Sequence, residues 1–341
     1  MTVEKLRFGR DGRFRILMVS DFHAGRNCNP KLVEGLEALL QATTPDFVML
    51  GGDQCLDKET PEEVGTYFSG IMAPVIRRGL PWGVIFGNHD REMGIDVHEE
   101  MRVYESMPGC MAEAGDEALH GVGNYCLPVY DAAGKTVRFH LWALDSNRYT
   151  KDYVPMFGLS PDTRFLLPDH FNDGCQEATV LFDQIRWYYE TSESAEKENG
   201  RKIPGVMFMH IPLPEYLQIT RNPEECGAIG HKRDTIGCTE LNSGLFLACL
   251  ERGDIRGIFF GHEHLTDLKG EYCGVTMACD AALGFNMSCH DDLRGGRVID
   301  LYEKDDTVET YTVKLMELMG RGAMRDPAYF EGGCKYHIRK L

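Results

Sequence analysis

The stretch FRILMVSDFH, at residues 14–23, decides the fold class of this chain. It begins as a nearly continuous apolar run and ends in Asp21 and His23, which is the pattern of a strand buried on both faces. Helices are then predicted at residues 30–41 and 61–77, and further buried strands at residues 45–53 and 81–90. Because strands alternate with helices, the sequence predicts βαβ units and a largely parallel sheet, which places the chain in the α/β class.

The rest of the chain continues this pattern. Strands are predicted at residues 125–130, 136–144, 205–210 and 255–260, and a strand pair at residues 297–302 and 308–315. A long helix is predicted at residues 176–194, and the polar segment 192–201 is predicted as a loop or as the end of that helix. We expect one domain over residues 1–315, followed by a tail at residues 316–341.

Charge and composition exclude several classes of protein. The chain has 341 residues and a net charge of −17, from 36 basic and 53 acidic side chains. This excess argues against a nucleic-acid partner, because the phosphate backbone would be repelled, but a small anionic substrate is compatible with it if metal cations sit in the site. The amino terminus has no apolar secretory signal, and no apolar run approaches the length of about 18 residues that a membrane span needs. We therefore expect a cytoplasmic protein without a membrane partner.

Side chains of the kind that bind metal ions follow five of the apolar runs. They are Asp21 and His23, then Asp53, then Asn88, His89 and Asp90, then His210, and finally His262 and His264. Each short pattern alone is weak, since two neighbouring histidines on a loop are more often solvated or hydrogen-bonded than bound to a metal. In open α/β sheets, however, ligands bind beyond the carboxyl ends of the strands. We therefore expect these side chains to meet in one site.

The residue types suit a pair of metal ions. Imidazole and carboxylate ligands together suit Zn, Fe or Mn. Two cations about 3.5–4 Å apart need a shared anionic ligand between them, and Asp53 is the natural candidate for that bridge. The amide oxygen of Asn88 adds a neutral ligand and limits the charge of the site.

The ordered pattern DxH, GD, GNHD, H and GHEH resembles the calcineurin-like metallophosphoesterase superfamily. Within it, the segments ALDS (143–146), DQIRW (183–187), FMHIPLPEY (208–216) and LNSGLF (241–246) are similar to the purple-acid-phosphatase-like branch. The resemblance implies a four-layer α/β/β/α sandwich with two mixed sheets, and it makes residues 1–315 the catalytic domain. Coloured members of that branch carry a tyrosine three residues after the bridging aspartate, where this chain has Leu56. A tyrosinate–iron bond is therefore not expected, and the metals stay open between Fe, Zn and Mn.

The resemblance also implies roles for single residues. One metal ion would be held by Asp21, His23, Asp53 and His264, and the second by Asp53, Asn88, His210 and His262. His89 would lie beside the phosphate as a general acid or as a charge stabiliser, and Asp90 would be structural or would orient His89. Their positions on predicted loops near the strand ends, and not the resemblance, make His231, Asn147 and Arg148 candidate substrate-binding residues, and a solvated surface cluster is the open alternative for His231.

The expected activity is hydrolysis of a small phosphate monoester or diester by a metal-activated hydroxide. Two alternatives remain open at this point: a phosphoprotein phosphatase, and a metal-binding regulatory module without catalysis. Other phosphatase chemistries are excluded, because no cysteine is followed by an arginine six positions later and the glycine spacing of a phosphate loop, GxxxxGK[ST], is missing.

Overall fold

The computed structural model describes residues 5–25, 28–55, 60–92, 94–152, 156–158, 177–239, 241–287 and 289–324. The strands in this part of the chain are β1 (Arg13–Val19), β2 (Phe47–Leu50), β3 (Trp82–Val84), β4 (Tyr125–Tyr130), β5 (Val137–Ala143), β6 (Gly205–Met209), β7 (Ile255–Phe260), β8 (Lys269–Tyr272), β9 (Val275–Cys279), β10 (Gly295–Tyr302) and β11 (Thr307–Lys314). The helices are α1 (Pro30–Thr43), α2 (Pro61–Arg77), α3 (Val97–Glu105), α4 (Phe182–Asn199), α5 (Tyr216–Arg221), α6 (Leu245–Arg252), α7 (Leu315–Met319) and α8 (Arg321–Met324).

The described strands form two mixed sheets, as the family resemblance implies. The first has the order β11-β10-β1-β2-β3, in which β1, β2 and β3 are parallel and β10 is antiparallel to both of its neighbours, β1 and β11. The second has the order β4-β5-β6-β7-β9-β8, in which the four inner strands are parallel and the two edge strands are antiparallel. The parallel βαβ units predicted from the first 90 residues are therefore confirmed, and they form the centre of the first sheet.

Strand β6 shows why the chain builds four layers. Its fully buried side chains alternate between two cores: Val206 and Phe208 join the core shared with the first sheet, whereas Met207 and Met209 join a second core under α4, α5 and α6. The other face of the first sheet is covered by α1 and α2, whose apolar side chains, such as Leu36, belong to the first core. Because the apolar side chains on both faces of such a strand must be shielded from water, each face packs against another layer. The result is an α/β/β/α sandwich.

The predicted helix at residues 176–194 is wrong at its start. Helix α4 begins at Phe182, because the chain just before it pairs with the segment after β5, where Ala178 N donates to Arg148 O (3.1 Å). The helix runs on to Asn199 and ends where Gly200 takes a left-handed conformation (φ 71°), which glycine adopts without steric penalty. The polar segment at 192–201 is therefore mainly the end of this helix.

The first residues of the predicted tail pack against the body of the protein. Leu315, at the start of α7, and Met324, at the end of α8, are both buried in the first core, and α7 packs against α1. Residues 325–341 lie outside the described residues. None of the helices in the described part of the chain is both long and apolar enough to span a bilayer.

Candidate metal centre

The predicted ligands lie beyond the carboxyl ends of β1, β2 and β3 in the first sheet and of β6 and β7 in the second. Two hydrogen bonds join the sheets at these strand ends. His210 Nδ1 and Gly51 O are 2.7 Å apart, and His262 N donates to Asp21 Oδ2 (3.2 Å). Residues from distant parts of the sequence are thereby brought to one place, as the position of ligand sites in α/β sheets predicts.

The first group of ligand atoms comes from Asp21, His23, Asp53 and His264, and these atoms all lie within 4.8 Å of one another. His264 Nε2 is 3.3 Å from Asp21 Oδ1 and 3.2 Å from His23 Nε2. His23 Nε2 is 3.6 Å from Asp53 Oδ2. Two imidazoles and two carboxylates thus converge on a space of the size that one cation occupies.

The second group comes from Asp53, His210 and His262, whose ligand atoms also lie within 4.8 Å of one another. His210 Nε2 is 3.2 Å from Asp53 Oδ2, which is the same oxygen that faces His23 in the first group. The other oxygen, Asp53 Oδ1, accepts a hydrogen bond from His89 N (2.8 Å). One carboxylate oxygen therefore lies between the two groups while its partner oxygen is fixed by the backbone.

Several buried polar atoms at this place have no hydrogen-bond partner among the described residues. They are Asp21 Oδ1, Asp53 Oδ2, Asn88 Oδ1 and His210 Nε2. Leaving a buried polar atom unpaired costs about 1–3 kcal/mol, and more for a charged group. Cations bound between these atoms would satisfy all of them, so the donor set fits metal ions.

His210 is held in the tautomer that a metal ligand needs. A carbonyl oxygen can only accept, so the contact with Gly51 O places a proton on Nδ1 and makes Nε2, which faces Asp53, the ring atom available to a metal ion. Metal-binding histidines almost always donate their second ring N–H in this way.

The charges of the two imidazoles in the second group are coupled. Burial opposes a charged His210, but the nearby Asp53 carboxylate outweighs burial and raises the pKa of His210 to about 10. Burial and the neighbouring His210 lower the pKa of His262 to about 3, since the two rings are 5.2 Å apart and cannot both readily carry charge. In return His210 keeps the pKa of Asp53 well below its ordinary value, despite the burial of the carboxylate. Without a cation, the site therefore retains a proton that metal binding would displace.

The backbone at the site is strained. Four of the predicted ligands have left-handed φ angles: Asp21 (54°), His23 (44°), Asp53 (53°) and His262 (70°). This conformation costs a residue other than glycine roughly 1–2 kcal/mol, and such strain is concentrated at functional sites. Gly87 supports the arrangement, because a Cβ at this position would collide with Asp53 Oδ1.

Asp90 lies under the loops that carry the ligands. Its carboxylate accepts hydrogen bonds from the backbone N–H groups of Asp53 (2.8 Å), Gly87 (2.8 Å), Gln54 (2.9 Å) and Cys55 (3.2 Å). These contacts tie the loop after β2 to the loop after β3. They also explain why β3 ends at Val84 rather than at the predicted residue 90, since the following backbone turns away from the sheet to surround this carboxylate.

His89 lies beside the first group, with its ring edge-on to the ring of His23 at a centroid distance of 5.1 Å. Two residues that were not predicted from the sequence lie next to it: Glu92 contacts His89, and Tyr149 contacts Glu92. Glu92 Oε2 is 2.6 Å from His89 Nδ1, and Tyr149 OH donates to Glu92 Oε1 (2.8 Å). The spacing of three between His89 and Glu92 on a short 3-10 turn was a usable signal, but no local pattern points to Tyr149.

Two further carboxylates lie near His262 and were also missed. Glu177 Oε1 is 3.7 Å from His262 Nε2. Glu263 is buried, which raises its pKa to about 8, and it accepts a hydrogen bond from Gly237 N (2.6 Å). Glu263 thereby fixes the 231–239 segment next to His262.

The three predicted substrate-binding residues are placed differently from one another. Asn147 is buried, and its amide nitrogen donates to Asp145 O, Thr179 O and Gln184 Oε1 (3.3, 3.1 and 3.2 Å). Arg148 is partly exposed, and its guanidinium contacts both oxygens of Asp152 (3.0 Å each) and Arg91 O (3.2 Å). The side chain of His231 is 54% exposed and lies 3.2 Å from Asp267 Oδ1. Leu56 lies outside the described residues.

Comparison with known proteins agrees with this geometry. Probable inactive purple acid phosphatases 14 and 29 of Arabidopsis thaliana are 27% and 26% identical to this chain, each over 83% of it and over 73% and 75% of their own length. Phosphatase DCR2 of Saccharomyces cerevisiae is 24% identical over 79% of this chain and 46% of its own length. The fold resembles that of a dimetal phosphatase from Danio rerio (TM-score 0.52, 10% identity, 88% of this chain and 98% of that chain). The profile of the calcineurin-like phosphoesterase family matches residues 14–265. The chain therefore belongs to the calcineurin-like phosphoesterase family, and its relatives are purple-acid-phosphatase-like.

Proposed function

We propose that this protein is a dinuclear metal-dependent hydrolase of a small phosphate monoester or diester. The observation that carries the proposal is the position of Asp53 Oδ2, which is buried without a hydrogen-bond partner among the described residues and faces both groups of ligand atoms. A pair of cations held by these residues would supply a water of lowered pKa and would neutralise charge on the phosphate. Fe, Zn and Mn all suit the mixture of imidazole and carboxylate ligands.

The roles of the chain's own residues follow from their positions. Asp21, His23, Asp53 and His264 would hold one ion, and Asp53, Asn88, His210 and His262 would hold the other. Asp90 keeps the two loops of the site together through backbone hydrogen bonds, so we assign it a structural role.

His89 would stabilise the phosphate or protonate the leaving oxygen. Of the substrate-binding candidates, Arg148 and His231 are the ones with partly exposed side chains. Asn147 would act indirectly, by fixing the backbone before Arg148.

A metal-binding module without catalysis is the second candidate, because the names of the Arabidopsis relatives carry the words "probable inactive". The position of His89 beside two groups of candidate ligands favours the hydrolase for this chain.

The test is metal analysis of the purified protein, followed by turnover assays with Mn²⁺, Zn²⁺ or Fe ions. The substrates are p-nitrophenyl phosphate, bis(p-nitrophenyl) phosphate and a phosphoserine peptide. We expect two ions per chain, one for each ligand group, and hydrolysis of at least one of the small esters. Turnover of the peptide alone would favour a phosphoprotein phosphatase. Full metal content with no turnover would favour the module without catalysis, and a protein that binds neither ion would contradict both candidates.

A further inference from the structure

We infer that Glu92 is the positioning residue of His89, and that Tyr149 links this pair to the ligand Asn88. The inference rests on the proposed function, because it names the residues that fix His89 and Asn88 in the proposed site. It concerns residues that no motif of the family resemblance includes.

The contact between Glu92 and His89 is built by local backbone structure. The two residues flank a 3-10 turn, in which Glu92 N donates to His89 O (3.1 Å) and the side chains lie on the same side at a spacing of three. The distance of 2.6 Å between Glu92 Oε2 and His89 Nδ1 is that of a strong hydrogen bond. An ionised carboxylate can only accept, so the proton lies on Nδ1 and Nε2 is the ring atom left for substrate.

His89 is thereby held at two points. Its backbone N–H donates to Asp53 Oδ1 (2.8 Å), which ties the residue to the shared ligand, and its ring is tied to Glu92. Fixing both the main chain and χ angles of a group that acts on substrate keeps it in the geometry that the reaction needs. Asp90, next in sequence, has its carboxylate engaged by four backbone N–H groups, which leaves the orienting role to Glu92.

Tyr149 extends the same contact to the second ligand group. Its hydroxyl donates to Glu92 Oε1 (2.8 Å) and lies 3.4 Å from Asn88 Nδ2, from which it can accept. Because the amide nitrogen of Asn88 faces Tyr149, Asn88 Oδ1 is the atom directed toward the ligand groups. This oxygen has no hydrogen-bond partner among the described residues. The cations of Arg148 and Lys151 lie 5.4 Å and 4.7 Å from the centre of the Tyr149 ring and hold the ring in place.

The experiment compares Glu92→Ala, Glu92→Gln and Tyr149→Phe with wild type in the zinc-loaded protein. Glu92 is about one-third exposed, so these changes are compatible with folding. Glu99→Ala is the matched control, because this carboxylate also accepts a local hydrogen bond but caps α3. Kinetics are measured with p-nitrophenyl phosphate and with phenyl phosphate, whose leaving group is poorer. The tautomer of His89 is read from histidine-selective ¹⁵N NMR, with His89→Asn used to assign its signals.

We expect Glu92→Ala to lower kcat about 10- to 100-fold, the usual effect of removing a residue that orients a functional group, with a smaller change in KM and with unchanged zinc content. Glu92→Gln, which keeps an acceptor, should recover part of the loss. The ¹⁵N spectrum should show that His89 loses its fixed Nδ1-protonated form in Glu92→Ala. Tyr149→Phe should lower zinc affinity at the second group more than it lowers kcat at saturating zinc.

An unchanged His89 tautomer in Glu92→Ala, or equal losses in Glu92→Ala and Glu99→Ala, would overturn the inference. A wild-type protein that binds metal ions but, with Zn²⁺, Mn²⁺ or Fe ions, hydrolyses neither these two monoesters nor bis(p-nitrophenyl) phosphate would instead overturn the proposed function. In that case the NMR comparison still decides whether Glu92 orients His89.

Discussion

Two buried polar clusters in this protein have similar chemistry but opposite degrees of hydrogen-bond satisfaction. The Asp254 cluster comprises Asp254, Tyr188, Ser192 and Arg252, and it lies between α4, α6 and the start of β7. Its carboxylate accepts from Tyr188 OH and Ser192 Oγ (2.5 Å each), and Arg252 Nε donates to Ser192 Oγ (3.1 Å). At the candidate metal centre, by contrast, Asp53 Oδ2 has no partner among the described residues.

The difference separates a structural cluster from a binding site. Buried charges are normally paired within the protein or bound to metal ions, and the Asp254 cluster takes the first solution. The candidate metal centre has the acceptors that binding metal ions requires. Four of its candidate ligands also have a strained left-handed backbone, whereas Asp254 does not. A substitution in one cluster should therefore change metal content and activity, and the equivalent substitution in the other should change stability alone.

The largest expected effect is that of Asp53→Asn, which removes the shared negative charge and keeps the side-chain shape. We expect this variant to lose both metal ions and to lower kcat/KM for the better ester by about 10³-fold or more, equivalent to roughly 4 kcal/mol. The measurements are metal analysis and steady-state kinetics.

Asp254→Asn is the matched control for Asp53→Asn, since it is the same change at an equally buried position. It should retain wild-type metal content and activity at temperatures where it stays folded. Equal metal content in the two variants would show that Asp53 is not the shared ligand.

Metal removal should produce the next largest effect. An ion that binds only the folded state stabilises it by about 4 kcal/mol when its free concentration is roughly 1,000 times its Kd. We therefore expect a chelator to lower the Tm of wild type, and the Asp254→Asn variant to show the same decrease. Asp53→Asn should show almost none, because it has no ions to lose. Calorimetry with and without chelator gives the comparison, and a Tm of wild type that does not respond to chelator would contradict it.

The two clusters also differ in how far the sequence predicts them. Six of the seven candidate ligands that were predicted from polar residues after apolar runs lie in two groups in the structure, because parallel strands bring their ends together whatever their distance in sequence. Tyr149 was missed because its contact with Glu92, across 57 residues between a loop and a 3-10 turn, leaves no periodic signal, whereas Glu92 could have been found from its spacing of three from His89. The Asp254 cluster was missed for the same reason as Tyr149.

Local competition explains two differences between the predicted and the observed elements. The apolar pattern of residues 81–90 continues past Val84, but the amide of Gly87 pairs with Asp90 and not with a neighbouring strand. The start of α4 is displaced by pairing of Ala178 with Arg148. In the first case a side chain within the apolar pattern, Asp90, takes the backbone hydrogen bond. In the second case the competing partner, Arg148, is distant in sequence.

Asp254→Asn should lower the free energy of unfolding by about 3 kcal/mol, since it replaces two hydrogen bonds to a charged carboxylate by weaker hydrogen bonds to a neutral amide. Tyr188 and Ser192 both donate to the carboxylate, and Ser192 Oγ also accepts from Arg252 Nε, so the new amide nitrogen can be paired only if a hydroxyl gives up its present donor role. Urea unfolding of the metal-loaded protein measures the change. A loss of metal in this variant would mean that the two clusters are not independent.

The smallest expected effect tests a buried group that belongs to neither cluster. His140 lies on β5 with its ring edge-on to Trp142, and burial lowers its pKa from 6.5 to about 4. Because the unfolded chain binds this proton more readily than the folded protein does, stability should fall as the pH drops below about 6.5, and the loss should be complete near pH 4. Between pH 7 and pH 5 the contribution is about 2 kcal/mol. His140→Phe keeps a ring against Trp142 and cannot be protonated. Between pH 7 and pH 5 the unfolding free energy of this variant should therefore decrease by about 2 kcal/mol less than that of wild type. Parallel pH dependences in urea unfolding would show that His140 is protonated as easily in the folded protein as in the unfolded chain.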